Sequence, residues 1–217
     1  DAEGKVSVRV TRGASTATFP TRGDGLVPMN GGSSKTNALW VDRWTATTAW
    51  DRIAGLETED LAVDALRILE PRIANVRLVG GEETNRKFVV TFQGEDRQHP
   101  IGSFGDGMQR LLDLSVGLAA ARNKVVLADE IETGLHHRVL GKMWRVVIET
   151  ARKLDVQVLA TTHSHDCLLA LSRAVEDDTS FASEIAVYRI DPGIAQPIRY
   201  STDKLRFAIE QDIEIRG

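Results

Sequence analysis

Two short apolar runs, VVLA at Val125–Ala128 and VQVLAT starting at Val156, flank one helix-length amphipathic segment. Neither run alternates polar with apolar residues as a strand with one wet face would, so both read as parallel strands covered on both sides. The segment between them gathers Leu140, Met143, Trp144, Val147, Ala151 and Leu154 on one face and keeps Arg138, Lys142, Arg145 and Arg152 elsewhere. That is the pattern of a helix from about His137 to Leu154 lying over a sheet. Strand, helix, strand is a βαβ unit with a right-handed crossover. The fold class expected is therefore α/β, a mostly parallel sheet flanked by helices, with a mixed α+β N-terminal region.

The remaining pattern fills in around that unit. KVSVRV (Lys5–Val10) reads as a strand and the turn-rich PTRGDGLVPMNGGSS (Pro20–Ser34) as a loop. LETEDLAVDALRILEP reads as a helix with Thr58 as N-cap, Glu59 and Asp60 in its first turn, a stripe of Ala62, Ala65, Leu66 and Leu69, and Pro71 as its stop. Arg86–Phe92 reads as a strand, and QGEDRQHPIG as a loop leading to a helix from Gly107 to about Arg122. A further helix begins near Ser164. EIAVYRI, the turn DPG and PIRY form a hairpin, and a short helix follows from Ser201. Two regions are expected: residues 1–100, a mixed α+β and helical insertion lobe, and residues 101–217, which carry the chemistry.

In an open parallel sheet, ligands bind beyond the carboxyl ends of the strands. The first run ends in Asp129 and Glu130, and the second ends at ATTHSHD, so His163 emerges at the same edge. An acid that holds Mg2+, an acid that activates water and a donor that reaches a phosphate together suit phosphoanhydride hydrolysis. Taken singly, each has a plainer explanation: acids at strand ends cap the next helix, and a lone histidine packs or starts a helix. The third piece is IGSFGDGMQRLLDLSVGLAAA, where Gly102, Gly105 and Gly107 crowd the start of a helix made buried by Met108, Leu111, Leu112, Leu114, Leu118 and Ala119. A glycine-rich helix entry leaves amide N–H groups open to an anion, although glycines also serve plain tight turns.

Composition narrows the rest. A net charge of −4, from 27 basic and 31 acidic residues, argues against a surface that coats nucleic acid in general. One cysteine, Cys167, excludes an internal disulfide framework and a multi-cysteine metal site, and fits a reducing, cytoplasmic setting. No apolar run approaches the roughly 20 residues that cross a bilayer, so no membrane partner is expected. The sequence starts at Asp1 rather than Met, which suggests processing or a longer parent chain.

In this order and at these separations the pieces resemble the second half of an ABC-type ATPase head, closest to the OLD-like and RecF-like AAA-family ATPases. SFGDGMQR resembles their signature motif, VVLADE Walker B, IETGLHH the D-loop region and ATTHS the histidine switch. The resemblance implies that Asp129 holds Mg2+, Glu130 polarises the attacking water and His163 contacts the γ-phosphate of ATP. It implies that Ser103, Gly105 and Gly107 bind the γ-phosphate of a nucleotide held mainly by a second copy, with Gln109 and Arg110 supporting that helix start. Phe104 and Asp106 depart from the LSGGQ pattern. Glu132 and His136 either face the partner or are solvated. Family members couple ATP-driven dimerisation to work on DNA or to anti-phage defence, often with a nuclease domain, and nothing after His163 here resembles such a nuclease.

A P-loop, G-x-x-x-x-G-K-[ST], is not found. GGSSKT (Gly31–Thr36) is the nearest approach, but Ser34 stands before Lys35 and Met29 replaces the first glycine, so it reads as a loop leading into a helix. An N-terminal Walker A lobe outside this chain is the expectation. The alternatives are a degenerate regulatory or interaction module, favoured by the missing P-loop, and a Mg-dependent hydrolase of another phosphoester. Adjacent carboxylates pointing to different faces make a poor two-metal clamp for the latter.

Overall fold

The computed structural model describes residues 7–12, 15–22, 25–26, 38–42, 45–81, 85–190 and 197–211. Most of the Pro20–Ser34 loop expectation, the GGSSKT segment, the DPG turn and residues 212–217 lie outside them. The elements in chain order are β1 (Ser7–Arg12), β2 (Ser15–Arg22), β3 (Gly25–Leu26), β4 (Ala38–Val41), α1 (Thr45–Ala49), α2 (Glu57–Arg67), β5 (Ile73–Val79), β6 (Lys87–Phe92), β7 (Gln98–Pro100), α3 (Asp106–Ala120), β8 (Val125–Ala128), α4 (Leu140–Leu154), β9 (Gln157–Ala160), α5 (His165–Asp177), β10 (Val187–Arg189), β11 (Ile198–Tyr200) and α6 (Thr202–Glu210). Short 3-10 turns at Ile101–Phe104 and His137–Val139 lead into α3 and α4.

The βαβ unit forms as its pattern predicts. β8 and β9 pair in parallel with Ala128 opposite Ala160, and β4 pairs in parallel on the other side of β8 with Val41 opposite Ala128. The sheet order is β4-β8-β9. A strand from before residue 100 thus lies in the sheet that carries Asp129. Val41, Val126 and Ala128 face the main core with the buried side chains of α3 and α4, while Val125 and Leu127 form a smaller cluster on the other face with Ala38, Trp40 and Leu159. All four residues of β8 are buried. β9 is not covered on both sides: Gln157 and Ala160 are exposed, because it is an outer strand of this sheet among the described residues.

α3 is the hub of the core. Leu111, Leu112, Leu114, Val116 and Leu118 are all nearly inaccessible, and each such burial contributes roughly 1.5–3 kcal/mol. At Gly117 it passes so close to β4 that a Cβ there would lie 2.5 Å from Val41 Cγ2. α4 buries Leu140, Met143, Trp144, Val147 and Leu154 as expected, while Ala151 is only half-buried. Trp144 Nε1 donates to Cys167 O at 2.9 Å, which ties α4 to α5.

Two local expectations are corrected. α2 starts at Glu57 after Leu56, so Thr58 sits inside the first turn rather than capping it. The Glu59 carboxylate instead reaches back to accept the Gly55 N–H. Within QGEDRQHPIG, Gln98–Pro100 form a strand against β6, with Val89 opposite Pro100, giving an antiparallel β5-β6-β7 sheet. The hairpin pairing of β10 with β11 follows the sequence reading, and the short helix expected from Ser201 starts at Thr202, with the Ser201 hydroxyl capping it.

Candidate functional site

Because β4, β8 and β9 are parallel and in register, their C-terminal ends share one rim. The residues that follow the register pairs are Asp42, Asp129 and Thr161. Thr161 binds both neighbours: its hydroxyl donates to Asp129 Oδ1 and accepts the Glu130 N–H at 2.9 Å. Its backbone continues the ladder, with Thr161 N–H to Ala128 O at 3.0 Å and Ile131 N–H to Thr161 O at 3.1 Å. Asp129 is half-buried and Glu130 exposed. Glu130 has φ +41, an uncommon value for a residue with a Cβ, and its Oε2 accepts from Thr133 Oγ1 at 3.0 Å.

His163 lies two residues beyond Thr161, exposed, in the short loop before α5. It makes no hydrogen bond or ion pair with the described residues, so the structure brings its loop, but not its ring, into contact with the acids. Ser164 caps α5, accepting from Cys167 N at 3.2 Å. Thr162 Oγ1 accepts the Ser164 N–H at 3.0 Å and donates to Glu132 Oε1 at 2.7 Å. Glu132 is therefore turned inward, away from water. His136 is exposed, its ring 4.1 Å from that of His137. The Cys167 thiol is pushed up to about 12, first by burial and then by the Glu132 carboxylate.

The glycine-lined helix start lies at the surface: Gly102, Ser103, Gly105 and Asp106 are exposed and Gly107 half-buried. Gly105 has φ +85 and turns the chain into α3. Ser103 Oγ donates to Pro100 O at 2.7 Å. Phe104 sets its ring edge-on to Phe92, centroids 5.8 Å apart, while the Arg72 guanidinium lies 4.8 Å from the Phe92 centroid. A Cβ on Gly107 would come within 2.9 Å of Gly134 O, so the helix start is pressed against the turn that follows Glu130.

One turn further in, Gln109 Nε2 donates to Asp113 Oδ2 at 3.2 Å, and Ala46 N–H donates to Asp113 Oδ1 at 2.8 Å. Asp113 is only 1% exposed, and burial pushes its carboxyl up to about 6 against the pull of those two donors and of Arg110. Arg110 Nη2 donates to Asp129 O at 2.8 Å and Glu130 O at 3.1 Å, and Nε to Ile131 O at 3.4 Å. Burial lowers its pKa, opposed by Asp113, Glu132, Asp129 and Asp42.

Asp42, Thr161, Asp113 and the reach of Arg110 escaped the sequence reading. ALWVD, an apolar run ending in an acid like VVLADE, is the signal that marks Asp42. An aspartate amid the apolar residues of α3 marks Asp113.

A C-terminal-edge acid pair, a neighbouring polar loop and an open helix start facing the same turn can together gather metal, water and phosphate. Among known proteins, 138 residues of the chain are 25% identical to an ATP/GTP phosphatase of Helicobacter pylori, covering 62% of this chain and 37% of that protein. Over 96 residues it is 31% identical to ABC transporter A family member 10 of Arabidopsis thaliana, covering 43% of this chain and 10% of that protein. The matched stretch thus spans well under half the length of either relative. Among solved structures, a chain from work on ATP-driven dimerization and DNA-stimulated activation of SMC ATPases aligns with TM-score 0.49 and 15% identity, covering 80% of this chain and 97% of that one. Residues 33–170, more than half of the chain, match the family described as "AAA domain, putative AbiEii toxin, Type IV TA system", and the chain belongs to that family.

Proposed function

We propose that this chain is the signature and Walker B part of an ABC-type ATPase of the OLD-like and RecF-like group, which hydrolyses ATP between two copies of the head. The observation that carries the reading is the rim itself. Asp129 and Glu130 end the buried strand β8, Thr161 of the histidine-bearing loop holds both, and the open start of α3 abuts the same turn.

Mg2+ brought in with ATP fits this donor set. Among the described residues no three acids, histidines or cysteines converge to cage an ion alone. One carboxylate beside a hydroxyl suits a cation that keeps its waters and takes phosphate oxygens as further ligands. Asp129 would hold it, directly or through water, and the ion supplies charge neutralisation along the phosphates. Glu130, exposed and backbone-fixed, accepts a proton from the attacking water. His163, with no hydrogen-bond or ion-pair partner among the described residues, donates to the γ-phosphate. Gly107 offers its amide to the γ-phosphate of nucleotide bound by the second copy, the Gly105 amide and the Ser103 hydroxyl join it by giving up Gly102 O and Pro100 O, and Gln109 steadies that helix turn through Asp113. The P-loop comes from polypeptide outside these 217 residues, in a Walker A lobe. Hydrolysis drives a DNA transaction or an anti-phage response in the cytoplasm, with DNA or a nuclease or other effector protein as partner. No helix among the described residues is long and apolar enough to cross a membrane.

The missing P-loop favours a second reading, a degenerate module that binds a partner without turnover. Size measurement of the full-length protein with Glu130→Gln separates the two. The first reading expects Mg-ATP to trap a dimer that wild type forms only transiently, with turnover abolished. A variant that stays monomeric in Mg-ATP, or a wild type without ATPase activity, refutes it. The isolated 217-residue chain is expected to bind ATP weakly, and appreciable Glu130-dependent turnover by it contradicts the external P-loop.

A further inference from the structure

Three consecutive carbonyls at the end of β8, those of Asp129, Glu130 and Ile131, all accept from the Arg110 guanidinium. The amides of Glu130 and Ile131 are taken by Thr161, through its hydroxyl and its carbonyl. Glu130 is thereby held from both sides, carbonyls by α3 and amides by the loop after β9, in the positive-φ conformation that a residue with a Cβ leaves unless its surroundings fix it. The same helix is wedged at its start, where Gly107 has no room for a methyl group against Gly134 O. Between Gly107 and Arg110 lies a single helical turn, a stiff element that moves as one piece. The glycine entry and the acid pair are therefore two ends of one short lever.

Resting on the reading that the helix start serves nucleotide held by a second copy, we infer that Arg110 is a positioning residue: it passes engagement of that helix start to Glu130, so that each site fires only when its neighbour is filled. The chemistry favours arginine here. Its planar fork reaches several carbonyls at once, whereas a lysine ammonium on a flexible stem offers a point contact to one. The charges of Asp113, Glu132, Asp129 and Asp42 compensate that of the guanidinium and would compensate a lysine in its place.

The test uses the full-length protein carrying Arg110→Lys, with Arg110→Gln as a second variant, beside wild type and Glu130→Gln. Wild type is expected to show turnover per subunit that rises with protein concentration as dimers form. Arg110→Lys should keep its KM for ATP within about twofold and its melting temperature close to wild type, yet lose about tenfold or more in kcat, with turnover per subunit no longer rising with concentration. Combined with Glu130→Gln, it should still trap a dimer in Mg-ATP. Wild-type kcat in Arg110→Lys, a parallel loss of ATP binding and turnover, or failure of both variants to fold overturns the inference while leaving the dimer reading intact. A Glu130→Gln protein that never traps a dimer overturns both.

Discussion

Asp113→Asn offers the sharpest check on the energetics of the core. Asp113 is 1% exposed in the middle of α3, and burial raises its carboxyl from 3.8 to about 6. A carboxyl whose folded pKa lies above its unfolded one binds its proton more tightly in the native state. Its stabilising contribution is therefore complete below the unfolded value and is lost as pH rises through the folded value. At about 1.36 kcal/mol for each pH unit between those two values, the native state loses about 3 kcal/mol in all, about 2 of it between roughly pH 4.5 and 7.5. Asparagine is nearly isosteric and does not titrate. Its Oδ1 still accepts the Ala46 N–H, and Gln109 turns its amide oxygen to the new NH2 group. Urea denaturation of both proteins across that range should show the variant gaining on wild type by about 2 kcal/mol as pH rises, then holding level. Taking the difference cancels the titration of every other group. The reasoning fails if the difference is flat with pH. It fails in the opposite sense if wild type gains on the variant, which would mean that Ala46, Gln109 and Arg110 outweigh desolvation and hold the carboxylate charged.

Gly107→Ala should cost about 1–3 kcal/mol, because its Cβ meets a backbone oxygen that no rotamer change can clear. Gly105→Ala, which meets nothing, should cost a similar 1–3 kcal/mol, roughly, through its φ of +85 alone. Melting curves check both, and an unchanged midpoint in either refutes the corresponding account. Cys167, fully buried with its thiol pushed up to about 12, should resist a thiol reagent near pH 8 until the protein unfolds. Rapid labelling of the native protein would place the thiol at the surface.

What the sequence discloses depends on how local the cause is. β8, α3 and α4 are legible because burial writes an apolar run or a 3.6-residue stripe into contiguous residues. β7 is not: three residues, Gln98–Pro100, are extended only because β6 lies alongside, and their composition reads as loop. Thr58 looks like a cap by residue type, yet the chain enters the helix two residues earlier, with Leu56 at the cap position, where Glu59 can reach the Gly55 N–H. At the site, Asp129 and Glu130 stand out as acids terminating an apolar strand, and the start of a helix near Ser164 is legible too. Arg110 cannot be read in this way. Its partners are backbone carbonyls 19 to 21 residues ahead, and a carbonyl has no letter in a sequence.

That blindness has a physical origin that also explains how the rim is built. Where a parallel strand ends, its last amides and carbonyls lose the neighbouring ladder and must find other partners or water. Here the amides go to Thr161 from the adjacent strand end and the carbonyls to Arg110 from the helix, so the peptide carrying the two acids is fixed through its backbone, and each carboxylate takes only one neutral hydroxyl donor, Thr161 on Asp129 and Thr133 on Glu130. Had Asp129 and Glu130 been held through their own side chains alone, strong ion pairs with Arg110 would have neutralised the charge that a cation or a water needs to meet. Anchoring the backbone leaves the acids both placed and available, a division of labour that only the folded chain reveals.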